Sequence, residues 1–164
     1  MRKRSACEVS KMITLLKAEL SDAEKLWKLQ VEAFAELLER YQDFEINPAA
    51  EPLEKTIMRL QQPWRHFYFV MEGNTPVGAI SVRVLDEGWK KLGPLWVQPA
   101  WRGKGIAQEA IRQVEEIHGS RKWVLDTILQ EKCNCHLYEK MGYHQTGKTQ
   151  VVNERMTLVD YVKE

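Results

Sequence analysis

No apolar run in this sequence approaches the roughly 18 to 20 residues that a membrane span needs, so no membrane partner is expected. Cysteine is scarce and odd in number: Cys7, Cys133 and Cys135 are the only three. They leave no even set for a disulfide framework, and neither a second cysteine pair nor a histidine spacing completes a zinc site around "CNC". The expectation is reduced thiols in a cytoplasmic protein with no metal. A charge excess is missing too. The net charge of +1 lacks the basic surplus that the phosphate contacts of a nucleic-acid binder require. Any anion site must therefore be local. The opening "MRKRSACEVSKM" is basic but has no apolar core behind it, unlike a secretory signal. It reads as a flexible leader over residues 1–11, with a single domain over 12–164.

What is present is ordinary for a globular chain. Hydrophobic residues make up 44% and charged residues 29% of 164 positions, enough for one core and too few residues for two domains. The periodicity supplies the element order. Residues 13–16 suit a strand. Ser21 with Glu24 three residues on resembles a capping box, followed by Leu26, Leu29, Phe34, Leu37, Leu38 and Tyr41 at helical spacing. "INPAAEP" interrupts, and 53–60 resumes as a second helix. Residues 67–71 form a continuous apolar-aromatic strand, "GNTP" a turn, and 77–85 and 92–97 two further strands around the turn "DEG". Ile106, Ala110, Ile111, Val114 and Ile117 form the stripe of a helix ending near Gly119. A strand at 123–129, a short helix in "EKCNCHLYEKM" and an alternating hairpin over 143–162 complete a mixed α/β domain, a meander followed by a β-α-β crossover.

The stretch "WVQPAWRGKGIAQEAI" asks for chemistry. Gly103 and Gly105 open backbone conformations closed to other residues and leave the main chain approachable. A helix beginning near Gly105 presents unpaired N–H groups and the positive end of its dipole, which suits phosphate. Arg102 and Lys104 add cations. The sequence is neither GxxxxGK[ST] nor GxGxxG.

This turn, read as Arg102, Gly103-Lys104, Gly105, Ile106, Ala107, together with Tyr138-Glu139-Lys140-Met141-Gly142-Tyr143 some thirty residues later, resembles the GNAT superfamily of acetyl-CoA-dependent N-acetyltransferases. The element order agrees over essentially all of 12–164. The resemblance implies a mostly antiparallel sheet of about seven strands flanked by about four helices. It implies acetyl-CoA as cosubstrate and a small-molecule or peptide amine as acceptor, attacked directly in a ternary complex. By the same resemblance the backbone of Leu95, Trp96 and Val97 holds the pantetheine arm where its strand splays from the next. The N–H groups of Gly103, Lys104, Gly105, Ile106 and Ala107 cradle the pyrophosphate, Arg102 is the motif cation, and Tyr138 gives a proton to the departing thiolate.

One position departs from the pattern. Family members commonly carry asparagine seven residues before the tyrosine, and here that residue is Glu131. Asn134, on the same helical face, is the expected substitute at the cofactor, since a carboxylate suits an anion poorly unless the helix starts after it. Cys133 and Cys135 are expected to pack in the core. Glu32, Glu36, Asp43, Glu87 and His136 are open alternatives for the base that deprotonates an amine. The family's acceptor site maps to 34–60, 89–95 and 143–156, where Trp89, Trp96 and Tyr41 could form an aromatic wall. Some members pair through terminal strands or the central sheet, which leaves a homodimer open. The competing reading is a catalytically inactive acyl-CoA-binding module.

Overall fold

The computed structural model describes residues 13–164, and the leader expected over 1–11 lies outside the described residues. Seven strands, β1 (Ile13–Lys17), β2 (Arg65–Glu72), β3 (Thr75–Val84), β4 (Lys90–Val97), β5 (Trp123–Ile128), β6 (His144–Val151) and β7 (Thr157–Lys163), form one sheet. Four helices, α1 (Ala23–Tyr41), α2 (Leu53–Leu60), α3 (Ile106–His118) and α4 (Lys132–Lys140), flank it. The strand order is β1-β2-β3-β4-β5-β7-β6. Every neighbouring pair is antiparallel except β4 and β5. A parallel pair needs a crossover, and α3 supplies it.

The apolar run 67–71 is continuous because its strand is covered on both faces. Phe67, Phe69 and Met71 pack with Ala79 and Trp96 beneath Leu26 and Ala33 of α1, on what is called here the front face. Tyr68 and Val70 point to the back, where Ile106, Ala110, Ile111 and Val114 of α3 join Val77, Ile80, Val82, Leu92, Trp123 and Leu125. Between β3 and β4 the backbones nearly touch. A Cβ added at Gly78 would sit 2.2 Å from the Trp96 carbonyl oxygen, so this glycine is required by space.

Two local expectations change. The capping box forms at Glu19 and Asp22 rather than at Ser21 and Glu24. The Glu19 N–H donates to Asp22 Oδ2 at 2.8 Å, and the Glu19 carboxylate accepts from the Asp22 N–H. The reason is a single 3-10 turn, Leu20–Asp22, ahead of α1. It moves the unpaired N–H groups upstream and puts Ser21 inside the turn. The alternation expected of the tail holds in β7, where Val159 and Tyr161 are buried, but every residue of β6 is exposed. β6 is an edge strand and has little to cover it. Among the described residues, no helix is long and apolar enough to cross a membrane.

Candidate functional site

The site grows from a failure of pairing. β4 and β5 are joined only at Lys90 with Trp123 and Lys91 with Val124, and beyond those residues the two strands share no ladder. A bulge promotes the parting. Ile80 faces Leu95 and Val82 faces Leu92, so Gly93 and Pro94 together oppose the single residue Ser81. The sequence-marked stretch Leu95, Trp96, Val97 lies just past the bulge. Leu95 and Val97 pack toward the back cluster, and the Trp96 indole is buried in the front one. The edge of β4 facing the gap thus carries main-chain groups with no strand to bond them.

At the end of β4 the chain makes a 3-10 turn, Pro99–Trp101, and enters the glycine turn. Gly103 has φ 77° and Gly105, the residue preceding α3, has φ 78°, left-handed values that favour glycine. Nothing lies within 4 Å of where a Cβ would stand at either position. Crowding inside the protein therefore does not demand these glycines; the backbone path does, and it leaves open space beside it. Among the described residues no carbonyl accepts from the N–H groups of Gly103, Lys104, Gly105, Ile106 or Ala107. Five main-chain donors at the positive end of a 13-residue helix are an arrangement able to accept an anion.

The two cations of the turn do different things. Lys104 stands with its Nζ 4.8 Å from the centre of the Trp101 ring, over exposed surface. Arg102 turns inward along the protein. Its Nε donates to the Val97 carbonyl at 2.9 Å and its Nη2 to the Ala33 carbonyl at 2.8 Å, with Glu36 3.7 Å away. It clasps α1 to the end of β4, a role that the motif did not announce.

Tyr138 lies on α4, 9% exposed, with Tyr143 edge-on at 6.0 Å and Tyr161 at 6.3 Å between ring centres. Burial first, then the carboxylate of Asp126 and Cys135, hold its phenol far above the ordinary tyrosine range. The group is a proton holder at neutral pH. Cys135 is buried and its thiol faces the Ile128 and Leu129 carbonyls at 3.7 and 3.8 Å, as core packing requires. Cys133, expected in the core, is exposed instead, since two residues along a helix turn a side chain to the other side.

The helix α4 does start after Glu131. That carboxylate is fixed from α1, accepting from the Tyr41 hydroxyl at 2.9 Å and from Arg40 Nη1 at 2.8 Å. Arg40 also bonds Glu36 at 2.9 Å. The hairpin joins the same corner, with Asn153 Nδ2 donating to the Tyr41 carbonyl at 2.9 Å. Asn134 stands exposed one turn further on.

The aromatic wall does not form. Trp96 donates its indole N–H to Gln98 Oε1 at 2.8 Å and meets Phe34 edge-on within the core. Tyr41 is engaged by Glu131, and Trp89 precedes the far end of β4. Of the five candidate bases, Glu32, Glu36, Glu87 and His136 are exposed, while Asp43 is buried and accepts from Asn47 Nδ2 at 3.0 Å as part of a loop. Sequence reasoning passed over Asp126. It sits on β5 opposite Asp160 of β7, paired to Lys91 at 2.8 Å, and its charge is felt by Tyr138. Only the strand register could have found it.

Comparison with known proteins follows this geometry. The model of the acetyltransferase (GNAT) family matches residues 24–143. Among solved structures, the chain is similar to spermidine N-acetyltransferase from Vibrio cholerae in complex with CoA and spermine, with 16% identity, TM-score 0.73, and coverage of 92% of this chain and 94% of that one. It is also similar to the ribosomal-protein-S18-alanine N-acetyltransferase from Escherichia coli, with 11% identity, TM-score 0.72 and coverage of 92% of each. A third is the microcin C7 self-immunity acetyltransferase in complex with acetyl-CoA and AMP, with 19% identity, TM-score 0.72 and coverage of 94% and 93%. Identities this low speak for the fold alone. The sequence matches no curated protein.

Proposed function

The chain belongs to the GNAT acetyltransferase family, and we propose that it transfers the acetyl group of acetyl-CoA to a primary amine by direct attack in a ternary complex. Residues 12–164 act as one catalytic domain in this reading. The observation that carries it is the gap between β4 and β5 opening beside five free main-chain N–H groups.

Acetyl-CoA supplies an activated thioester. The N–H groups of Gly103, Lys104, Gly105, Ile106 and Ala107 hold its pyrophosphate, with Lys104 adding charge, and the free edge of Leu95, Trp96 and Val97 holds the pantetheine arm. Asn134, exposed at the start of α4, is assigned to the cofactor in this reading. Arg102 acts at one remove, by fixing the turn to α1. The unprotonated amine nitrogen attacks the carbonyl carbon, a C–N bond forms and the C–S bond breaks. The thiolate takes its proton from the Tyr138 hydroxyl, and the proton lost by the acylated nitrogen restores that hydroxyl by way of solvent. Burial keeps that proton in place until sulfur charge develops. The similar structures support an amine acceptor, since their names include a polyamine acetyltransferase and one acting on a ribosomal-protein alanine.

Thermal melts with CoA, acetyl-CoA, ATP and NAD supplied separately test this reading. A ligand at a hundred times its dissociation constant adds about 2.7 kcal/mol, several degrees for a domain of this size. The expected result is a shift with CoA and acetyl-CoA, weakened in Lys104→Ala, followed by thiol release on addition of amines. A shift with ATP or NAD alone would overturn it. A shift with acetyl-CoA and no thiol release from any amine would support a binding module instead.

A further inference from the structure

The front face carries a row of cations that acetyl transfer, as described, does not use. Arg65 of β2, Arg83 of β3 and Lys91 of β4 are successive cross-strand partners, so their side chains leave the sheet on one face. It is the face of Phe67 and Ala79, because alternate residues of β2 and β3 share it. Like charges set directly opposite destabilise a sheet, and a protein normally answers each with a carboxylate. Lys91 has Asp126. Arg59, at the end of α2, holds Glu51 in two bonds of 2.6 and 2.9 Å, with side chains 20% and 10% exposed.

Arg65 and Arg83 have no such answer among the described residues. Glu51 is the carboxylate whose field reaches Arg65, and it is already held by Arg59 and by Gln30 Nε2 at 3.0 Å. Burial, then Arg59 and Arg83 nearby, push the Arg65 guanidinium below its ordinary range. The Nε of Arg83 is buried without a partner. So is the hydroxyl of Ser81, a residue 1% exposed and two positions back on the same strand and face. Buried polar groups without partners are uncommon in native structures and each asks for an explanation, an ordered water or a bound group among them. Thr56 and Tyr143 carry one each elsewhere, and among the described residues only here do two lie on one face beside unanswered cations. Ser81 also opposes the Gly93–Pro94 bulge, so this deficit lies one strand from the gap to which the pantetheine arm is assigned above.

We propose that Arg83, Arg65 and the Ser81 hydroxyl form a subsite for an oxyanion carried by the acceptor, which is then an amine bearing a carboxylate or a phosphate and not a bare polyamine. The proposal rests on the acetyl-transfer reading. A guanidinium presents its N–H groups as a fork that fits either oxyanion, and two adjacent forks relieve their mutual repulsion when one anion sits between them. Ser81 donates a neutral bond to the same group. The Lys91–Asp126 pair bounds the row on the β5 side.

The test uses protein saturated with CoA, so that the glycine turn is filled, and adds inorganic phosphate or succinate at constant ionic strength. Melting midpoints are read for wild type, R83Q and R65Q. An oxyanion-specific rise of one or more degrees in wild type, absent from R83Q and reduced in R65Q, is expected. The CoA-induced shift should persist in both variants. Transfer to 4-aminobutyrate, 3-aminopropyl phosphate and butylamine then separates the two sources of the anion. The preferred anionic amine should exceed butylamine at least tenfold in kcat/KM, and R83Q should erase the advantage through KM. No oxyanion-specific shift in wild type, or an equal shift in both variants, overturns the subsite while leaving acetyl transfer standing. Absence of any CoA shift in wild type overturns the acetyl-transfer reading instead. If R83Q does not fold, R65Q and R83K carry the comparison.

Discussion

The glycine turn and the front face of the sheet offer different kinds of group to whatever meets them. On the turn side the groups offered are main-chain N–H donors, freed by left-handed glycines and by the start of α3. On the front face they are side chains, Arg65, Arg83, Ser81, Lys91 and Asp126, gathered from four strands by register. The difference has a physical meaning. A main-chain cradle recognises an invariant feature such as a diphosphate with whatever side chains happen to be near. A side-chain floor can be changed one residue at a time, and is where selection among acceptors would reside.

The sharpest way to break this contrast is Gly105→Val. Its Cβ would enter open space, so the cost to the fold is that of a β-branched residue in a left-handed backbone, at least about 1–2 kcal/mol. CoA affinity should fall roughly 100-fold or more, about 2.7 kcal/mol, read by calorimetric titration. A folded variant binding CoA normally would mean that the main chain of the turn is not the cradle. Tyr138→Phe comes next. It should lower kcat about 100-fold and leave acetyl-CoA binding unchanged in the same titration; an unchanged kcat would remove the phenol from the chemistry.

Arg102→Ala sharpens the contrast from the other direction. Its side chain bonds α1 and β4, so the loss should appear as about 1–2 kcal/mol of stability in chemical denaturation. Its effect on CoA affinity should be smaller than that of Gly105→Val. A variant of full stability that has lost CoA would instead return Arg102 to the phosphate.

The smallest effects are those of pH. Burial raises the Tyr138 and Tyr143 hydroxyls far above the usual 10.0, and Tyr161 to about 12. All three belong to the core behind the sheet. The folded state keeps protons that the unfolded chain releases above pH 10, so their contribution is full below that pH and is lost as pH rises toward the folded values. The front arginines do not titrate there. His66 and His118 work in reverse. Burial first, then neighbouring cations, lower both from 6.5, so stability should decline as pH falls below 6.5 while the unfolded chain takes up protons first. Denaturation midpoints across pH 4 to 11 check both limbs. A flat alkaline limb would mean that the tyrosine hydroxyls are better solvated than their burial implies.

Where sequence reasoning worked, it worked on local physics. The apolar run 67–71, the stripe of α3 and the break at "INPAAEP" all reflect contacts within one turn or one strand. Seven strands and four helices were legible for that reason, and so was the fold they resemble. The capping box missed by two residues because a single 3-10 turn is worth too little energy to leave a mark. The aromatic wall failed because tryptophan is as useful in a core as at a site, and Trp96 chose Phe34 and Gln98.

The glycine turn was determined by the sequence by itself, since only glycine enters the left-handed region freely at two places so close together. Tertiary structure decided the rest of the site. It gave the Arg102 guanidinium to Val97 and Ala33, tied Glu131 to Tyr41 and Arg40, and set Arg65 against Arg83. Apart from Arg102 and Val97, which are 5 residues apart, those partners lie from 18 to 91 residues apart along the chain. A long side chain will take whichever acceptor the packing of helices and strands brings within reach, and that choice is made only when the sheet closes its register.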